Sequence, residues 1–114
     1  MPEPSLRTLC FAALGRLVPA GEDHPELRQF QECAESIPPA ELRAALHARL
    51  LAPDPRTGVS HLAVTLHLSA VEVFALVLLI AVESEPLVGR AFARLQAPLG
   101  GSRPTLGLLA RVFD

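Results

Sequence analysis

The chain has 114 residues, a length that makes one domain with a single buried core. Half of the residues are hydrophobic but only five are aromatic, all Phe, so the apolar mass is mostly Leu, Ala and Val and favours packed helices over a β-sandwich. The formal net charge of −2 gives no global field that would attract phosphate backbones.

Three amphipathic helices are predicted in the first half of the chain, over about residues 5–18, 24–37 and 39–52. Asp23 is the predicted N-cap of the second helix, which stops before Pro38. The residues expected to face inward are Leu6, Leu9, Cys10, Ala13, Leu14 and Leu17, then Leu27, Phe30 and Ala34, then Leu42, Ala45, Leu46 and Leu50.

The segment 53–58 has strong turn chemistry and is predicted to separate an N-terminal part, residues 1–52, from a C-terminal part, residues 59–114, of one domain. After it, residues 59–68 fit a short helix, although their alternating apolar residues leave a strand open. The four residues from Ser69 to Glu72 form a capping box, in which the Ser69 hydroxyl accepts from the Glu72 amide and the Glu72 carboxylate accepts from the Ser69 amide. A helix is therefore predicted to start at Ala70.

That helix, residues 70–82, is apolar nearly all round, so we expect it at the centre of the core. The residues expected to be buried there are Val73, Leu76, Val77, Leu79 and Ile80. The next helix starts near Pro86 and is expected to turn inward Leu87, Val88, Ala91, Phe92 and Leu95.

The chain ends in a loop, residues 97–104, and a last amphipathic segment, residues 105–113. This segment presents Leu106, Leu109, Val112 and Phe113, and should either pack on the core or leave an apolar patch that drives self-association. Because it ends without a capping signal, we expect the sequence to be a piece of a longer protein. The predicted fold is all-α, a compact bundle of about six or seven short helices.

The mostly apolar segment of residues 64–82 is long enough to span a membrane. However, His67, Ser69 and Glu72 interrupt it, and no basic or aromatic residue anchors its ends. We therefore expect a buried helix and no membrane partner. Cys10 and Cys33 have no CxxC spacing and are expected to be free thiols in a reducing compartment. The N-terminus lacks the features of a signal peptide, so a cytoplasmic protein is expected.

No pattern of catalytic or metal-binding residues stands out in the sequence. A P-loop needs a Lys for the terminal phosphates, and all ten cations of this chain are Arg. There is no GxSxG turn, and no HExxH or other ligand cluster includes His24, His47, His61 or His67. We expect no enzymatic activity, no metal and no cofactor in this chain.

The short helix, Ser-capped turn and longer helix over residues 59–82 have the outline of a helix-turn-helix. A helix that reads DNA displays Arg, Lys, Asn or Gln to base edges and phosphates. This one displays Glu72 and otherwise apolar side chains, so we expect no nucleic acid as a partner. A nucleic-acid-binding winged-helix regulator is the alternative.

Several segments of the C-terminal half occur in an order that is similar to a known domain. They are Leu66-His67-Leu68-Ser69-Ala70-Val71-Glu72 with the apolar helix after it, Ala81-Val82-Glu83-Ser84-Glu85-Pro86, Ala93-Arg94-Leu95-Gln96 and Arg103-Pro104-Thr105-Leu106-Gly107-Leu108. Together they resemble the helical, winged-helix-like domain that precedes the ATPase module in bacterial AAA-type ATPases. The likeness covers about residues 62–113, and it departs from the family's pattern at residues 83–85 and 97–98.

The resemblance implies a non-catalytic N-terminal domain whose ATPase module follows in the full-length protein. ATP and Mg are then expected only for the full-length protein, which the family implies to be a homo-oligomer. The implied partners are a separate protein or the protein's own ATPase module. The implied roles are substrate recruitment, hexamer organisation or docking to a contractile injection machine.

Because the resemblance places the ATPase module after the last helix, partner contacts are expected on the first three helices. Their outward residues form a mixed-charge surface of the kind that supports reversible docking, namely Arg7, Arg16, Arg28, Glu32, Glu35, Arg43 and Arg49. Arg43 and Arg49 are the candidate partner-binding residues of this surface. The alternative is that these charges only keep the domain soluble.

Overall fold

In a computed structural model of the chain, the structure describes residues 4–18, 21, 24–96 and 105–113. These residues form seven α-helices and one 3-10 turn and contain no strand, so the predicted all-α fold is confirmed over them. The predicted Asp23 cap and the predicted loop 97–104 lie outside the described residues. The helices are α1 (Leu6–Gly15), α2 (Arg28–Glu35, after the 3-10 turn Pro25–Leu27), α3 (Pro39–Leu51), α4 (Gly58–Thr65), α5 (Ala70–Ser84), α6 (Pro86–Leu95) and α7 (Leu106–Phe113).

Hydroxyl side chains start three of these helices. The hydroxyls of Ser5 and Thr57 accept from the amides of Thr8 and Ser60, at 3.1 and 3.2 Å, before α1 and α4. At α5 the Ser69 amide donates to Glu72 Oε1 at 2.9 Å, and the Glu72 amide donates to Ser69 Oγ at 3.3 Å. Both halves of the capping box are therefore present in the structure.

Helix α5 packs against α1, α3, α4, α6 and α7, in agreement with its predicted central position. However, α1 and not α5 is the helix that is buried on every side. Every residue from Leu9 to Gly15 is buried, because α2, α3 and α5 all pack around α1. In α5 Val73 and Val77 are buried, whereas Leu76 is half-buried. Leu79 and Ile80 are 39% and 44% exposed. An apolar sequence allows burial on every side, but no described helix covers the side of α5 that carries Leu79.

Helices α1 and α2 approach so closely that their backbones touch. A Cβ atom on Gly15 would lie 2.1 Å from the carbonyl oxygen of Phe30, which only a glycine can avoid. Around this contact, the rings of Phe11 and Phe30 pack edge to face at 5.0 Å, and Phe30 continues to Phe92 of α6 at 5.8 Å. This aromatic chain joins α1, α2 and α6.

The predicted inward side of α6 is confirmed except at Leu87, whereas α7 is turned so that Leu108 and not Leu106 lies in the core. Leu87 is 69% exposed and Leu106 is 85% exposed, so neither faces inward as expected. In α6 the buried residues include Val88, Ala91 and Phe92, and in α7 they are Leu108 and Leu109. The first turn of each helix also contains a buried residue, Val88 in α6 and Leu108 in α7. Leu87 and Leu106 are therefore exposed because they lie on the other side of the helix.

The apolar stretch 64–82 is broken into two helices by a tight turn. His67 has a left-handed backbone with φ of 53°, and the Leu68 amide donates to the Ala63 carbonyl at 3.0 Å. This is the Schellman arrangement that ends a helix. Among the described residues, no helix is both long enough and apolar enough to cross a membrane.

The two predicted parts of the chain share one core, to which α1, α2, α3, α5, α6 and α7 all contribute buried residues. The ion pair between Arg7 and Glu85 also ties α1 to the end of α5. The turn over residues 53–58 is therefore a connection inside one packed unit.

Candidate protein-interaction site

The outward side of α5 carries an acidic and apolar stripe, which we call the α5 face. It consists of Glu72, Leu76, Leu79 and Glu83, whose spacing of four, three and four residues places them on one side of the helix. The two carboxylates are exposed at its ends, and the two leucines lie between them. No Lys or Arg occurs anywhere in α5. This face therefore combines negative charge with exposed apolar surface.

The capping box holds one of these charges in place. Hydrogen bonds from the backbone and the side chain of Ser69 lower the pKa of the Glu72 carboxyl, with the Ser69 amide as the larger cause. Glu72 is therefore charged at neutral pH and stays at the N-terminus of α5, where the helix dipole also favours an anion.

Arg43 and Arg49, the predicted partner-binding residues, lie in different places. They are six positions apart on α3, so their side chains leave the helix in different directions. Arg43 is exposed, whereas Arg49 is half-buried and donates from Nη1 to the Pro4 carbonyl oxygen at 3.0 Å. The structure thus does not bring the two arginines onto one docking surface.

Arg49 belongs to a cleft of about 370 Å³ between the start of α1 and helices α3, α4 and α5. The polar groups of this cleft are engaged with one another. Arg7 pairs with Glu85 and lies 4.5 Å from the centre of the Phe11 ring, and Asp54 is bonded to Arg56. The hydrogen bonds from Arg56 lower the pKa of the Asp54 carboxyl. Among the described residues that line the cleft, Arg7 and Arg49 are thus already bonded to Glu85 and to the Pro4 carbonyl, and we assign no ligand to it.

Arg43 lies at a larger groove of about 510 Å³ between the end of α1, α3 and α7, which we call the arginine groove. The described residues that line it are Ala13, Arg16, Leu17, Pro39, Leu42, Arg43, Leu46, His47, Leu50, Arg111, Val112 and Phe113. Three guanidinium groups and no carboxylate are in this set. The groove could not be predicted from the sequence, because its three arginines lie on or next to helices that are distant in the chain and no local pattern connects them.

The remaining candidates for reactive groups among the described residues are the two cysteines and the side chains that could bind a metal ion. Burial raises the pKa of the Cys10 thiol, and burial also raises that of the half-buried Cys33 thiol. Both cysteines are free. In the described part of the chain, no three His, Cys, Asp or Glu side chains are grouped so that they could hold a metal ion.

The geometry is that of an all-helical domain built around a helix-turn-helix, with α4 and α5 as its two helices. A family model described as winged helix domain, variant, matches residues 18–114. The chain therefore belongs to this winged-helix family, and α2 and α3 are part of the family's domain together with the C-terminal helices. No curated protein and no solved structure gives a significant match.

Proposed function

We propose that this winged-helix domain is the non-catalytic N-terminal domain of a bacterial AAA-type ATPase and works through protein–protein contacts. The observation that carries the protein-contact part is the α5 face. In a helix-turn-helix reader the second helix enters the major groove, and its cations meet the phosphates. Here the same helix displays Glu72 and Glu83 with Leu79 between them, and it has no cation.

The energetic argument favours a protein partner over nucleic acid for this helix. Two carboxylates facing the phosphates would be repelled, and the counterion release that drives nucleic-acid binding needs cations at the contact. Exposed leucines instead lose water-accessible apolar area when a protein surface covers them, which is favourable by about 25 cal/mol per Å². The α5 face is thus suited to a partner that brings its own apolar and basic side chains.

The ATPase part of the proposal rests on the resemblance of residues 62–113 to domains that precede ATPase modules. The partner would be a substrate protein, a component of a contractile machine or the protein's own ATPase module. ATP and Mg would bind that module and not this domain.

The first test is binding of the purified chain to random-sequence duplex DNA at low salt, where even weak electrostatic readers bind. We expect no binding. Salt-sensitive binding that the Leu79→Arg variant strengthens would place α5 against phosphates and support a nucleic-acid regulator instead.

The second test uses the full-length protein and a matched pair of variants, Leu79→Arg on the α5 face and Leu87→Arg on α6. Both leucines are exposed, so neither change should unfold the domain. We expect Leu79→Arg to remove a partner that co-purifies with the wild-type protein and with Leu87→Arg, while the ATPase rate of the module is kept. If the same proteins co-purify with both variants, the α5 face is not the contact.

The coding sequence after Asp114 checks the ATPase part separately. A GxxxxGK[ST] motif about 20 to 60 residues downstream is expected, because this motif is specific for a phosphate-binding loop. A downstream sequence without it contradicts the assignment to an ATPase and leaves the protein-contact argument standing.

A further inference from the structure

We propose that the arginine groove of one copy of this chain binds the α5 face of a second copy, so that the domains associate head to tail. The inference rests on the proposed function, since it names the partner of the α5 face. Its basis is that both halves of a complementary contact are present on one molecule, one basic and concave, the other acidic and convex.

The floor of the arginine groove is apolar. Leu42, Leu46 and Leu50 of α3 are buried below it, and Leu17 and Val112 are half-buried at its sides. A volume of about 510 Å³ lies within the range of about 300 to 1,000 Å³ typical of ligand sites. The groove can therefore receive apolar side chains of a helix, in the helix-in-groove mode of recognition.

The rim of the groove offers cations, two of which no described residue neutralises. Arg16 and Arg43 are exposed and form no ion pair within the described residues. Arg111 donates from Nη2 to the Leu17 carbonyl oxygen at 3.3 Å, which anchors its side chain to α1 and leaves further N–H donors. Since no carboxylate lines the groove in the described part of the chain, these guanidinium groups attract an external anion.

The α5 face has the complementary pattern. Leu76 and Leu79 lie between the carboxylates of Glu72 and Glu83, which are about 16 Å apart along the helix at 1.5 Å per residue. A groove with apolar floor and guanidinium rim matches a stripe of two leucines between two carboxylates, because Arg pairs with carboxylates in charge-assisted hydrogen bonds. Nucleic acid matches the rim of the groove but has no side chains for its floor.

The groove and the α5 face are different surfaces, so the contact is heterologous. Such a contact repeats from copy to copy and gives a closed ring or an open filament, depending on the rotation between neighbours. Every copy of the chain carries both surfaces, so the contact needs no separate partner.

The test measures self-association of the purified chain by sedimentation velocity, up to about 1 mM protein. Arg43→Glu changes the groove, and Arg90→Glu is its control, because Arg90 is also exposed, on α6, and its replacement makes the same change in net charge. Leu79→Arg changes the α5 face, with Leu87→Arg as control. We expect concentration-dependent association of the wild-type chain, weakened about tenfold or more by Arg43→Glu and by Leu79→Arg but not by the controls.

Mixing the two disruptive variants provides the sharper result. The Arg43→Glu protein keeps an intact α5 face and the Leu79→Arg protein keeps an intact groove, so the mixture should form 1:1 complexes at concentrations at which each variant alone is monomeric. Circular dichroism of each variant checks that it is folded.

Three results would overturn the proposal: a wild-type chain that stays monomeric at the highest concentration, equal effects of Arg43→Glu and Arg90→Glu, or no complex in the mixture. If Leu79→Arg removes a co-purified protein while the chain stays monomeric, the head-to-tail contact is wrong and the proposed function survives. Loss of duplex DNA binding in Arg43→Glu would assign the groove to nucleic acid instead.

Discussion

Gly15 determines how closely the first two helices pack. The Cβ of any other residue there would lie 2.1 Å from the Phe30 carbonyl oxygen and 2.9 Å from the Ala34 side chain. Both obstacles belong to α2, and the backbone oxygen cannot rotate away as a flexible side chain could. The helix pair would have to separate to accept a methyl group.

We predict that Gly15→Ala destabilises the domain by about 1 to 3 kcal/mol or more, the range for overpacked cores. Gly58→Ala is the control, since a Cβ at Gly58 meets nothing within 4 Å at the start of α4. There the change should be neutral or stabilise by up to about 1 kcal/mol, because alanine restricts the unfolded chain. Urea denaturation of both variants measures the difference, and similar midpoints would contradict the α1–α2 contact.

The capping box gives a prediction at Ser69. Replacing Ser69 with Ala removes the acceptor for the Glu72 amide and should cost about 0.5 to 2 kcal/mol, as loss of an N-cap generally does. Unchanged denaturation midpoints would show that α5 does not depend on this cap.

Glu72 adds a pH dependence to the same contact. Its folded-state pKa is lowered by the Ser69 hydrogen bonds, so its contribution to stability is present above the unfolded-state pKa of about 4.3 and is lost as the pH falls through the lower folded-state value. Glu72→Gln keeps an acceptor oxygen but does not titrate. We expect the stability difference between wild type and Glu72→Gln to be constant near pH 7 and to shrink below about pH 4. A difference that does not change with pH contradicts the assignment.

Among the helices, α5 shows that an apolar residue is not necessarily a buried one. Leu78 is fully buried, whereas Leu79, the next residue, is 39% exposed on the α5 face. Leu78→Ala should cost about 2 to 5 kcal/mol, the range for a buried leucine, and Leu79→Ala clearly less. Leu76 is half-buried, so Leu76→Ala should fall between the two. Thermal or urea unfolding of the three variants ranks them, and equal losses at Leu78 and Leu79 would mean that both sides of α5 are covered.

Helix ends were predictable because their causes are local. Ser69 and Glu72 are three residues apart, and the prolines at 39 and 86 start their helices by their fixed φ and missing amide. The buried side of a helix was predictable where apolar and polar residues alternate with the helical period, as in α2 and α3. It failed for Leu87 and Leu106, although Val88 and Leu108 in the same first turns are buried. An apolar sequence does not show how far the buried side extends around a helix.

Cys10 provides a probe of the stability of the whole molecule. Cys10 lies in α1 at the centre of the core, and burial raises the pKa of its thiol, so little reactive thiolate forms in the folded state. In a Cys33→Ser variant, modification of Cys10 by iodoacetamide should require global unfolding, and its rate should rise with urea in step with the unfolding equilibrium. Modification in the absence of urea at the rate of an unfolded peptide would contradict the central position of α1.

The sequence by itself determined the helical class, the ends of most helices and the Ser69–Glu72 cap, because these depend on side-chain period and on hydrogen bonds between residues three or four apart. Only the tertiary structure shows that α1 is buried on every side and α5 is not, since burial depends on where the neighbouring helices lie and not on composition. It also separated Arg49, bonded to the Pro4 carbonyl, from Arg43, and brought Arg43 to Arg16 and Arg111 at one groove. Those three arginines become neighbours only after α1, α3 and α7 have packed, and their spacing along the chain does not predict this.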